Sequence, residues 1–293
     1  MMKKGHGYAV ILLALILLIL SSVAAAEATE PADVSGGTVK IINHRGYNPQ
    51  APENTIAAFE LSGEMGYSYV ETDISFTKDL VPVLLHDATI NRTAREEDGG
   101  TIRQQIRIGD LTYEEVLAYD FGIWKGEAFR GTKIPTFDEF LSICGEYNLH
   151  PYIELKENGP YGREQIDGLV ERVRACGMLD RVTWISFSSE YLEWVRDRDP
   201  NARLGYLVAL WFSEGDFRNI LEKVRNLRTG TNEVFLDASI YMLSLAPGGS
   251  DRYIAMCRDE GVPLEIWTLD SEEMMSELDP YITGVTTNSI TTQ

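Results

Sequence analysis

Between Val39 and Thr287 short apolar runs alternate with helical patterns, and this alternation constrains the fold more than any other feature. The runs are Val39–Asn43, Tyr69–Ile74, Tyr152–Leu155, Val182–Phe187, Arg203–Val208, Val234–Leu236, Leu264–Thr268 and Gly284–Thr287. Such runs read as strands, and strands separated by helical segments give an α/β protein with a parallel sheet. The clearest helix follows Pro135. Thr136 and Glu139 have the spacing of a capping box, and Phe137, Phe140, Leu141 and Cys144 form one apolar stripe. Asn54 or Thr55 caps the first helix, and Gly66 stops it. Eight strands alternating with helices over about 250 residues have the usual size of a TIM (β/α)8 barrel. A doubly wound sheet is the competing architecture, but no G-x-G-x-x-G follows the first strand. Pro82–Leu85 reads as an extra hairpin arm after the second strand. Residues 87–135, irregular and rich in Gly, Arg and acids, hold one short helix opened by a second capping box, Thr112 and Glu115.

The first residues are a separate matter. Lys3 and Lys4 precede an apolar run from Tyr8 to Leu20, followed by small residues. Ala24 and Ala26 fit the −3 and −1 positions of a signal-peptidase site, which makes residues 1–26 a signal peptide. The run through Val23 is nearly long enough to span a bilayer, so an uncleaved signal anchor is the alternative. Either reading exports the catalytic part, secreted or held at the cell surface, with membrane attachment only through that leader. Residues 27–37 read as a linker and residues 38–293 as the catalytic domain. The formal net charge of −19 argues against sequence-independent nucleic-acid binding and against adsorption to anionic lipid head groups. Cys144, Cys176 and Cys257 show no CxxC spacing, and their apolar or helical contexts predict buried free thiols.

Chemistry-bearing residues cluster where apolar runs end. Glu71 and Asp73, two apart on a strand, project to one face, and Glu154 ends the next core strand. Three carboxylates together need positive charge between them. All-oxygen ligands suit one Mg²⁺ or Ca²⁺ rather than zinc, and leave positions open for substrate. His44 and His86, two of only four histidines, each sit just past an apolar run, where βα loops begin. General acid–base chemistry needs one group to take a proton and one to give it, and imidazole serves as either at neutral pH. His150, at the start of its strand, points to the stability face and reads as structural. Arg45 and Lys156 supply positive charge beside these carboxylates. Glu53 is either an orienter of a histidine or the metal, or a first-turn helix acid.

In order along the chain, H-R-G (His44–Gly46), P-E-N-T (Pro52–Thr55), E-x-D (Glu71, Asp73) and H-D (His86, Asp87) resemble the signature of the glycerophosphodiester phosphodiesterase family. That resemblance covers about residues 39–290. It implies a TIM barrel with a small insertion after the second strand, and residues 75–135 lie where that insertion belongs. It implies hydrolysis of small glycerophosphodiesters to an alcohol and sn-glycerol 3-phosphate, with Arg45 and Lys156 contacting phosphate. Trp267 matches the family's pocket tryptophan on the seventh strand; as a core aromatic it reads equally well. Where the family often has T-D near the last strand, this chain has T-T-N; Asn288 is assigned to the rim and given no role. One rival is a lysophospholipase D or sphingomyelinase D-like activity, favoured by an apolar surface in the insertion around Phe121, Trp124 and Phe129. The other is an inactive cell-surface binding module, which predicts a broken ionic set.

Overall fold

In the computed structural model of the chain, strand β1 (Lys40–Asn43) pairs in parallel with both β2 (Tyr69–Phe76) and β9 (Ile282–Thr287), and those two pairings close the sheet. The structure describes residues 39–159, 161–246 and 248–291. The leader, anchor and linker expectations lie outside the described residues. Between β2 and β9 the barrel runs through β4 (His150–Leu155), β5 (Thr183–Ser186), β6 (Arg203–Val208), β7 (Val234–Ser239) and β8 (Leu264–Trp267), every neighbour parallel. It is the expected eight-stranded TIM barrel, with β3 (Pro82–Leu84) attached outside it, antiparallel to the end of β2.

The helices follow the strands as their apolar stripes require. They are α1 (Ile56–Glu64), α2 (Tyr113–Val116), α3 (Phe137–Glu146), α4 (Arg163–Ala175) and α5 (Ser189–Arg198). After these come α6 (Glu214–Asn226), α7 (Ile240–Leu245), α8 (Ser250–Asp259) and α9 (Glu272–Ser276). In α3 the buried residues are Phe137, Phe140, Leu141 and Cys144, and both sides of the Thr136–Glu139 capping box form. The same box forms at Thr112 and Glu115 ahead of α2. Thr55 caps α1, accepting from the Ala58 amide, and Gly66 follows its end at φ +82°. The six residues of α7 were not separable from β7 by pattern, because Ile-Tyr-Met-Leu-Ser-Leu has no polar face to set a helical period.

The main core lies between the strands and this helical shell. The insertion has a core of its own, built from Val83, Leu85, Ile90, Ile108, Val116, Phe121 and their neighbours. Within the barrel, alternate residues of the strands point inward. Ile42, Tyr152, Ile185, Leu207 and Phe235 fill that interior. Beneath them Arg203, the first residue of β6, lies 4.3 Å over the Phe235 ring and donates to Glu265 Oε1 at 2.6 Å. Lys40, first residue of β1, reaches the same oxygen at 3.2 Å. Gly284 faces Glu265 in register, and a Cβ there would stand 2.6 Å from the Glu265 carboxyl carbon. The interior floor is thus a paired ionic plug, and the chemistry is left to the opposite end. Of the cysteines, Cys144 and Cys257 are buried free thiols as expected, but Cys176 is exposed. It caps α4 beyond the helix's buried stripe, so its apolar neighbours face away from it.

Candidate active site

Strand geometry gathers the three carboxylates. Asp73 and Glu154 are directly opposite in the β2–β4 register, and Glu71 lies one inward position below Asp73. One carboxylate oxygen from each of Glu71, Asp73 and Glu154 falls within 4.8 Å of the others, and all three side chains are buried. Lys156, just past β4, places Nζ 2.7 Å from Glu154 Oε1 and 2.9 Å from Asp73 Oδ1. Arg45 Nε stands 3.3 Å from Asp73 Oδ2. Burial alone would raise the Asp73 carboxyl, but Lys156 and Arg45 hold it well below the usual range. Burial, reinforced by Asp73 and Glu154, pushes Glu71 well above its ordinary value. Two cations therefore do not balance this pocket, and the buried Asp73 Oδ1 accepts no well-directed hydrogen bond. An all-oxygen, charge-deficient cluster of this kind fits a hard divalent cation.

The H-R-G turn delivers the next groups. Arg45 and Gly46 both take left-handed backbone, φ +57° and +74°, just beyond β1. A Cβ on Gly46 would lie 2.8 Å from the Ala58 carbonyl carbon, so the turn packs on α1 only as glycine. This turn aims the Arg45 amide at Glu71 Oε2, 3.0 Å away, and brings His44 Nε2 to 3.9 Å from that same oxygen. On the other side of the ring, His44 Nδ1 is 2.8 Å from Asn288 Oδ1. Burial, with the Arg45 charge beside it, lowers the His44 imidazole to about 3, so the ring is neutral at pH 7. His86, past β3, has Nδ1 2.7 Å from Asp87 Oδ1.

Glu53 is neither a first-turn acid nor a direct contact of a histidine. It precedes the helix cap and joins two arginines: Arg45 Nη1 at 2.8 Å, and Arg92 Nη1 and Nη2 at 2.7 and 2.8 Å. Arg92 Nε in turn donates to Asp87 Oδ2 at 2.7 Å. A continuous ionic chain thus runs from Asp73 through Arg45, Glu53, Arg92 and Asp87 to His86. Trp267, at the end of β8, donates its indole N–H to the Asp237 carbonyl at 3.1 Å and meets the Phe187 ring edge-on. It is half-buried at the mouth, while His150 lies at the opposite strand ends against Tyr69.

Three placements differ from the sequence reading. Asn54 is not a cap: at φ +54° it donates to Asp73 Oδ2 at 2.7 Å and accepts from Thr72 at 2.9 Å, orienting the carboxylate. Asn288 is not a bystander on the rim, since it touches His44. Asp87 and Arg92 also belong to the site. The histidine–aspartate adjacency signalled the first, whereas nothing in the sequence separates Arg92 from a surface arginine.

Residues 44–292 match the sequence profile of the Glycerophosphoryl diester phosphodiesterase family. A glycerophosphodiester phosphodiesterase of Caldanaerobacter subterraneus subsp. tengcongensis is 29% identical over 81% of this chain and 88% of its own length. One from Bacillus subtilis is 25% identical over 98% of this chain and 96% of its own. Among solved structures, a phosphodiesterase of Oleispira antarctica, in complex with the product sn-glycerol-3-phosphate, superposes with a TM-score of 0.71 at 24% identity, covering 85% of this chain and 92% of that one. A putative glycerophosphoryl diester phosphodiesterase of Silicibacter pomeroyi gives 0.72 at 23%, over 87% and 91%. With the profile matched from His44 of the H-R-G turn to beyond the last barrel strand, the chain is an enzyme of the glycerophosphoryl diester phosphodiesterase family.

Proposed function

We propose that this enzyme is exported and hydrolyses glycerophosphodiesters to an alcohol and sn-glycerol 3-phosphate, with one Mg²⁺ or Ca²⁺ held by Glu71, Asp73 and Glu154. The observation that carries the reading is the buried three-carboxylate pocket flanked by two histidines, each held through Nδ1 by a different partner. A cation bound there supplies charge opposite the phosphoryl oxygens. His44, neutral and with Nε2 towards the pocket, takes the proton of the attacking hydroxyl. His86, oriented by Asp87, protonates the leaving alkoxide. Arg45 and Lys156 lie against the same carboxylates and add to the positive field that the transition state needs. The complete ionic set speaks against an inactive binding module. The lysine-flanked apolar leader supports export, and N-terminal sequencing of the mature protein tests cleavage after Ala26.

The glycerol 2-hydroxyl is held next to phosphorus in the substrate itself, so its attack gains proximity that free water lacks. That route passes through a cyclic phosphate, which water then opens with the histidine roles reversed. A 2-deoxy analogue cleaved as fast as the parent would exclude it.

A panel of deacylated phospholipids, assayed with and without EDTA, tests the assignment. Activity on none of them, or full activity after EDTA treatment and dialysis, overturns it. One observation favours a second reading, lysophospholipase D-like activity. Of the insertion's aromatics, Phe121 lies in its core, while Trp124 and Phe129 are half-buried. Phe187, Leu210, Phe212, Tyr241 and Leu245, however, are exposed on the segments that follow β5, β6 and β7. A higher kcat/KM for lysophosphatidylcholine than for glycerophosphocholine would select that reading.

A further inference from the structure

We propose that Asp270 and Asn288 are positioning residues for His44, holding its imidazole in the tautomer that carries hydrogen on Nδ1, so that Nε2 presents its lone pair to the carboxylate pocket. The inference deepens the reading of His44 as the base. Neither residue contacts the carboxylates. Asp270 follows β8 and Asn288 follows β9, and each arrives from a loop at the same end of the barrel.

The hydrogen-bond directions leave one consistent arrangement. Asp270 Oδ1 accepts from the Asn288 backbone N–H at 2.7 Å and from the Thr287 hydroxyl at 3.0 Å. Asp270 Oδ2 is 2.8 Å from Asn288 Nδ2. A carboxylate only accepts, so the amide must turn its NH₂ towards Asp270 and its oxygen towards His44. That oxygen also receives the Asn48 amide at 2.7 Å, whose same nitrogen donates to the His44 carbonyl at 2.8 Å. Flipping Asn288 would set its NH₂ against the Asn48 donor and its oxygen against a carboxylate. An amide oxygen cannot donate, so the 2.8 Å contact with His44 Nδ1 requires the hydrogen on the ring. A neutral imidazole with Nδ1–H has its lone pair on Nε2, the nitrogen 3.9 Å from Glu71. The amide at position 288 is what makes the acid at 270 tolerable. Aspartate in both places would bring two carboxylates face to face.

The tautomer can be read directly by ¹⁵N NMR of the Mg²⁺-loaded full chain. There are four histidines, and His44→Gln assigns the His44 pair by its disappearance. At neutral pH His44 should show a protonated Nδ1 and an unprotonated Nε2. In Asn288→Leu the pattern should move towards a mixture of tautomers, and kcat should fall about 10–100-fold with KM little changed, as when an orienting partner is lost. Asn288→Asp alone should lose activity. The reciprocal exchange, Asn288→Asp with Asp270→Asn, keeps every donor opposite an acceptor and should recover both the tautomer and most of kcat, which covers the case where Asn288→Leu does not fold. An Nε2–H tautomer in the wild type overturns the proposal, as does an Asn288→Leu enzyme with tautomer and kcat unchanged. If the tautomer shifts while kcat holds, the positioning contact stands and His44 is not the base.

Discussion

At the scale of single residues, the site separates its two histidines by the company they keep. His44 sits against a neutral amide and a buried arginine, whereas His86 sits against a carboxylate. His44→Ala and His86→Ala should each lower kcat by about 10²–10⁴ while circular dichroism stays native, the usual cost of removing a general acid or base. His150→Ala should leave kcat near wild type, because that ring lies at the far ends of the strands. Glu53 gives a pH signature. Burial would raise it, but hydrogen bonds and charge from Arg92 and Arg45 bring it down from its ordinary 4.5 to about 2. A depressed acid contributes stability that is fully present above its unfolded pKa and is lost as pH falls through its folded one. Glu53→Gln should therefore be less stable than wild type at pH 6, by up to about 3 kcal/mol, and the gap should close between pH 4.5 and 2. A gap that stays constant over that range in urea unfolding would show that Glu53 acts through shape rather than charge. Glu154, His44 and His86 could be singled out because each lies at or just beyond a strand end, and Glu71 and Asp73 because carboxylates two apart share one face of a strand. The residues around His44 could not, since Asn48, Asp270 and Asn288 read as ordinary loop polar residues until the barrel brings distant loops together.

At the scale of elements, the strands were visible because parallel strands buried on both faces are nearly continuous apolar runs, and the helices because their stripes and caps are regular. What the period could not show was the interior of the barrel. Arg203 opens its run as a polar residue and would pass for a solvated end, yet it lies stacked on Phe235 and paired with Glu265. Gly284 likewise reads as a strand-weakening glycine, whereas its missing side chain is the space the Glu265 carboxyl occupies. Gly284→Ala should destabilise the fold by about 1–3 kcal/mol, the usual cost of overpacking a filled core. Equilibrium urea unfolding measures it, and an unchanged midpoint would mean the plug can shift to admit a methyl group. The insertion was legible as an interruption, but its own core was not, because residues from Val83 to Ile134 meet there with no repeating period.

For the whole molecule, the cation should act as a ligand of the native state alone. Removing it with EDTA should lower the melting temperature, and adding Mg²⁺ or Ca²⁺ should raise it again, because anything that binds only the folded form stabilises it. Melting curves that coincide with and without the ion would argue that the carboxylates are neutralised by Lys156 and Arg45 alone. The seam of the barrel bears on how the enzyme comes into being. The carboxylates belong to β2 and β4, which are adjacent and complete by Leu155, well before β9 is made. His44 is different: its strand meets β9, and its ring is held by Asn288, on the opposite side of the closure. During synthesis a nascent chain could gather its acids long before it owned an aligned base. On the proposed role of His44 as the base, activity should switch on only when the last strand docks against the first, leaving half-made protein chemically silent.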